Sequence, residues 1–259
     1  MASEAQPLFE SGAKAGKHTP PDVRVGFITK VYGIVISMLF ITGLITYPFV
    51  FYENAAMQWC KDHMWVVWLA VIFLLAQHVL HMCMMAEQCM GGSGIAEGYF
   101  RMLATVPVNY IYLLAYSLAM GLLVGVICSA YKASSVCMVF WLTVLIIVGL
   151  TVYAVYTKCD FTGMGSYILV ALLALLGFSF IGMFFPMGSF IHRVIAAAGA
   201  MIFGFIIIYD TQLIFGEASA GGEKSHQYSL DMYAFAALEL YMDFINFFIY
   251  MLQLLGERD

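Results

Sequence analysis

Apolar and polar positions alternate along this chain in long blocks. A polar stretch at 1–23 contains Pro7, Gly12, Pro20 and Pro21. Apolar runs then recur near 32–52, 64–86, 107–129, 136–157, 163–185, 191–216 and 232–255. Each run has about the 20 residues a helix needs to cross a hydrocarbon core of about 30 Å. A membrane barrel would instead alternate apolar and polar residues in segments of about ten. The pattern predicts an all-α integral membrane protein, a bundle of seven transmembrane helices. It divides the chain into a disordered cytosolic tail at 1–23, with no signal-peptide core, and a membrane domain at 24–259. The longest connection, 87–106, holds Gly91, Gly92, Gly94 and Gly98. It reads as a flexible turn and not a phosphate cradle, because no Lys-Ser/Thr follows the glycines. Gly121 and Gly125 form a GxxxG in the third run, read as close helix packing inside the bundle.

Composition strengthens this picture. Hydrophobic residues make up 63% of the chain and charged residues 10%, against roughly 25% charged in a soluble domain. Such a chain cannot clothe a soluble enzyme, nor is it a disordered chain or a secreted disulfide scaffold. A net charge of −5 with 11 Lys and Arg excludes a nucleic-acid face. With the N-terminus cytosolic, that side gathers Lys14, Lys17, Arg24, Lys30, Arg101, Lys158 and Lys224. The opposite side gathers Lys61, Lys132, Arg193 and Arg258, so the positive bias favours N-in. The six cysteines form no CxxC pair and read as small packing groups. Cys128 and Cys137 flank one loop and can pair if that loop faces an oxidising lumen.

The acids inside the spans carry the sharpest chemical signal. An ionised Asp at a span centre costs about 2.5–3.5 kcal/mol on insertion scales, so such residues face the bundle interior and serve a function. Asp210 lies in the sixth run, and Glu239 and Asp243 share one face of the seventh at i,i+4. No Lys or Arg sits mid-span to neutralise them. Counted from the span ends, Asp210 is about 9 Å deep and Asp243 about 17 Å. That spacing permits contact without requiring it. Two carboxyls in contact in a low-dielectric site share one proton, which makes the pair a pH sensor. These acids, with the Asn246 amide at i+3 from Asp243, offer the oxygen donors a hard cation such as Ca2+ takes. His78 and His81, among Met82, Cys83, Met84, Met85, Cys89 and Met90, have the softness that suits Cu(I). They read instead as a Met-rich packing surface. No serine or cysteine sits in a hydrolase motif.

Two stretches, IIIYDTQLIFG and SLDMYAFAALELYMDFINFFIYMLQLLG, resemble the Bax inhibitor-1/Lifeguard family of transmembrane Bax inhibitor motif proteins. VRVGFITKVY at 23–32, PVNYIYLLAYSLAMG at 107–121 and TVYAVYTKCDFT at 151–162 resemble its Lifeguard branch. The resemblance covers about 23–256. It implies a seven-helix fold with the C-terminal helix central, wrapped by the other six. It also implies a pH-sensitive Ca2+ leak channel of endoplasmic reticulum or Golgi membranes with a cytoprotective, anti-apoptotic role. It maps a pH-sensing aspartate pair onto Asp210 and Asp243, which would hold Ca2+ transiently, with Glu239 and Asn246 as supporting polar groups. An arginine latch near the cytosolic end of the second helix falls on Arg101, six residues before Pro107, where the family carries a basic pair closer to the Pro-x-Asn that opens its third helix. Glu239 stands where the family commonly has a neutral residue.

These readings compete. A non-conducting regulator acting through apoptosis-regulating membrane proteins would use the same fold. An intramembrane aspartyl protease also pairs aspartates, and Tyr209-Asp210 suits one. It requires a Gly-x-Gly-Asp and a Pro-Ala-Leu, and neither occurs. A seven-helix receptor would need Arg and Pro motifs at the ends of its third and seventh spans, and these are missing too. The expectation is a non-enzyme in a lipid bilayer, with no cofactor and Ca2+ as the transported ion.

Overall fold

The computed structural model describes residues 9–11, 20–90, 94–184, 188–222 and 224–258. Its helices are α1 (Pro21–Phe51), α2 (Glu53–Asp62), α3 (Met64–Met90), α4 (Gly94–Ala104), α5 (Val108–Cys128), α6 (Ala133–Tyr156), α7 (Gly165–Phe184), α8 (Ser189–Phe215) and α9 (Tyr233–Leu255). Among the described residues seven helices are long and apolar enough to cross a membrane, and each overlaps one of the seven apolar runs. Large side chains such as Phe40, Trp68, Leu145 and Phe190 lie exposed around the bundle. In water such a surface would aggregate; against lipid tails it is the natural outer face.

Helix α9 is the most buried of the seven, with 67% of its apolar window inside the protein. It packs against α1, α4, α5, α6 and α8. Ala234, Ala236 and Ala237 on it are fully enclosed, and small residues let neighbouring backbones come close. Helix α1 lies on α5 through the two glycines of the GxxxG. A Cβ on Gly121 would sit 2.8 Å from Ile45 Cβ, and one on Gly125 would sit 2.5 Å from the Phe49 ring. The motif therefore serves packing within the chain.

Three stretches depart from the sequence reading. The connection at 87–106 is largely helical: α3 continues to Met90, and α4 buries Tyr99 and Leu103. Residues 91–93, including Gly91 and Gly92, lie outside the described residues. Gly94 and Gly98 are helical because Tyr99, Phe100 and Leu103 give α4 one apolar face. In the segment read as a tail, α1 already starts at Pro21, where proline's missing N–H is harmless in a first turn. Phe9–Ser11 form strand β1, antiparallel to β2 (His226–Tyr228). Cys128 and Cys137 are both free thiols.

Candidate functional site

The site is assembled where the end of α8 meets the start of α9. Asp210 sits five residues before the end of α8 and is 5% exposed; Asp243 sits ten residues into α9 and is 7% exposed. Their depths along the two helices differ, yet the carboxyl groups are hydrogen-bonded to each other. Asp243 Oδ2 makes no hydrogen bond among the described residues. Such a bond between two carboxyl groups requires that one of them holds a proton. Held together in this way, the pair ties α8 to α9.

Two further groups complete the cluster. Glu239, one turn before Asp243, places Oε1 3.3 Å from Nδ1 of His81 on α3. The two form an ion pair whenever the imidazole is protonated. The Tyr228 side chain, at the end of β2, lies beside Asp210. Acids from α8 and α9 thus meet an imidazole from α3 and a phenol from the connection at 216–232. Asn246 is half-buried on α9, close to one turn beyond Asp243. Among the described residues no group of three or more His, Cys, Asp or Glu is placed to hold a metal ion. The three acids are near neighbours in this cluster.

The connection between α8 and α9 is held over this cluster by polar groups at and beyond the ends of the spans. Arg24 is 3% exposed although it lies in the first turn of α1. Its guanidinium donates to Leu213 O at 2.8 Å, Phe215 O at 3.3 Å and Tyr228 O at 2.7 Å. The first two are last-turn carbonyls of α8, which have no partner within a helix and lie at its negative end. Gly216, with φ of 51°, then turns the chain sharply. A side chain there would run into Gln227 and the Arg24 guanidinium.

Asp160, in the turn between α6 and α7, holds the connection from its other side. One carboxylate oxygen accepts from the Ser225 amide at 2.8 Å and the Ser225 hydroxyl at 2.7 Å. The other accepts from the Thr162 amide at 2.9 Å and hydroxyl at 2.6 Å. Partial burial works against its ionisation. These four donors outweigh it and hold the Asp160 pKa down at about 2. Thr162 Oγ1 in turn accepts from His226 N at 3.0 Å. Gln212, two residues after Asp210, fastens the same turn to α8. Its amide accepts from Phe161 N at 2.8 Å and donates to Cys159 O at 2.9 Å and Ala154 O at 3.2 Å. The YDTQ stretch thus combines a site acid with a structural staple.

The residues singled out from the sequence fall into two groups. Asp210, Asp243 and Glu239 are brought together. Arg101 is exposed in the last turn of α4, and its described hydrogen bond is through its backbone carbonyl, to Thr105. The two histidines separate: His78 Nδ1 lies 2.9 Å from Leu74 O on its own helix, while His81 faces Glu239. Met82, Met84, Met85, Cys89 and Met90 have side chains outside the described residues.

A protein-family model described as an inhibitor of apoptosis-promoting Bax1 matches residues 24–259. This chain belongs to that family. The match begins at Arg24 and contains every residue of the site. Similar proteins include Bax inhibitor 1 of Schizosaccharomyces pombe, 29% identical over 235 residues that cover 90% of this chain and 77% of the relative. Protein lifeguard 3 of Homo sapiens is 29% identical over 240 residues, covering 92% and 70%. Protein LIFEGUARD 4 of Arabidopsis thaliana is 27% identical over 257 residues, covering 94% and 92%. The family consists of multi-pass membrane regulators of cell death and is not a known enzyme family.

Proposed function

We propose that this family member protects cells as a pH-sensitive Ca2+ leak channel of endoplasmic reticulum or Golgi membranes, gated by the Asp210–Asp243 pair. The observation that carries this reading is a hydrogen-bonded pair of buried acids joining two membrane-spanning helices. Gain or loss of the shared proton changes the charge of the pair by one unit and makes or breaks the bond between α8 and α9. The same event decides whether the mouth is closed by a bond or open to a divalent ion. Ca2+ takes carboxylate and amide oxygens readily, and Asp210, Asp243, Glu239 and Asn246 supply them in succession. Glu239 is held to one side by His81. The N-terminus is cytosolic in this reading, since Arg24, Lys30, Arg101, Lys158 and Lys224 gather at the acid end.

Purified protein in liposomes loaded with a Ca2+ reporter tests the reading. Wild-type protein should carry Ca2+ down its gradient at a rate that depends on pH, and Asp210→Ala or Asp243→Ala should change that rate strongly. Flux equal to that of empty liposomes at every pH would overturn the channel and leave a regulator that acts on cell death through membrane-protein partners.

A further inference from the structure

The acid pair is covered by a short, firmly held piece of chain. Lys224, Gln227, Tyr228 and Ser229 are buried although they belong to a connection between helices. Beyond its pairing with β1, the segment Lys224–Tyr228 is anchored at three points on three further elements. Ser225 and His226 are tied to Asp160 and Thr162 in the α6–α7 turn. The Tyr228 carbonyl is tied to Arg24 of α1. The Tyr228 side chain lies beside Asp210. A loop that only linked two helices would lie on the surface with its polar groups in water.

We propose that Lys224–Tyr228 is a strap that closes the acid-end mouth of the bundle, with Tyr228 as the closing residue and Arg24 and Asp160 as its anchors. Arg24 acts at a distance from the acids. It joins the end of α8, which carries Asp210, to the strap that covers Asp210, so the pair and its cover move as one unit. Its three described acceptors are backbone carbonyls, and shortening the guanidinium takes this donor away from them in a closed site. Asp160 fixes the strap from the opposite side through donors that no other carboxylate among the described residues serves. Loss of either anchor frees the strap. Loss of the Tyr228 hydroxyl leaves the backbone anchors of the strap in place and removes its contact with Asp210. The assignment rests on the reading of the Asp210–Asp243 pair as the gate.

The test uses the full chain in lipid nanodiscs with two readouts that need no conduction. One is coupling of a glycine ester to Asp210 by a water-soluble carbodiimide, followed by mass spectrometry. The other is hydrogen exchange of the peptide covering 224–228. Arg24→Gln, Asp160→Asn and Tyr228→Phe should each raise labelling of Asp210 several-fold. Exchange at 224–228 should rise in the first two and stay at the wild-type level in Tyr228→Phe. Ca2+ leak from liposomes should rise in all three. Labelling that stays at the wild-type level in Asp160→Asn and Tyr228→Phe overturns the strap, whatever exchange does. Those two variants decide the matter even if Arg24→Gln does not fold. Labelling that rises with no flux in any protein keeps the strap and overturns the channel; unchanged labelling with intact flux does the reverse.

Discussion

The carboxyl of Asp210 on α8 is hydrogen-bonded to that of Asp243 on α9, although the two residues lie at different depths along their helices. The bond needs at least one proton on the pair. An asparagine at either position can donate through its amide to the remaining carboxylate, so it replaces the bond without the titration. Asp210→Asn and Asp243→Asn should each flatten the pH dependence of Ca2+ flux in liposomes. A pH profile that survives both changes would place the sensor elsewhere.

His81 and Glu239 are 3.3 Å apart, with side chains 26% and 16% exposed. Removing one partner leaves the other polar group partly buried without its contact, a cost of about 1–2 kcal/mol. His81→Ala and Glu239→Gln should each lower the thermal midpoint of unfolding in detergent. The double variant should lose less than the sum, because both changes remove the same contact. Strict additivity would mean that the two side chains do not interact.

Thr42 on α1 and Tyr241 on α9 share a hydrogen bond of 2.6 Å at a site closed to solvent. Thr42 also donates locally, to Met38 O at 2.9 Å. The hydroxyls are therefore not equivalent. Thr42→Val strands the Tyr241 hydroxyl and should cost about 1–3 kcal/mol, whereas Tyr241→Phe leaves Thr42 a partner and should cost about 1 kcal/mol or less. Unfolding of the two variants side by side in one detergent checks the order.

The membrane helices were legible because each is a run of apolar residues as long as the bilayer is thick. That signal needs no tertiary context. Helices α2 and α4, of 10 and 11 residues, are too short to register as spans and are apolar on one face only. The acids of the site were legible as residues but not as a contact, because the contact depends on how far α8 and α9 are offset. Arg24 was missed, although the chain does mark it. Arg24, Phe27, Val31, Val35, Met38 and Thr42 are all buried on α1, and their spacing of three, four, four, three and four residues is one helix stripe. An arginine at the head of a buried stripe must find acceptors. Tyr228 left no comparable signal, since its partner lies across a turn whose path only the folded chain defines.

Gly125 lies against the Phe49 ring, so closely that a single methyl group would meet it. Gly125→Val should force α1 and α5 apart and cost about 1–3 kcal/mol through overpacking. The oligomeric state by size-exclusion with light scattering should not change, because the glycine faces a helix of its own chain. A shift in oligomeric state without loss of stability would assign the GxxxG to a second copy instead.

The Asp160 clamp sets a pH limit on the strap. Its carboxyl titrates at about 2 in the folded protein, against about 3.9 for a free Asp. A depressed folded value means that the ionised form is bound more tightly in the folded state, so the stabilisation is complete above the free value and fades as pH falls through the folded one. Exchange protection of the Ser225 and His226 amides, expressed relative to their intrinsic rates, should hold level from neutral pH to about pH 4 and then decline toward pH 2. Asp160→Asn should lower that protection at neutral pH and remove the decline. Protection that falls already between neutral pH and about pH 5 would show that another titrating group holds the strap.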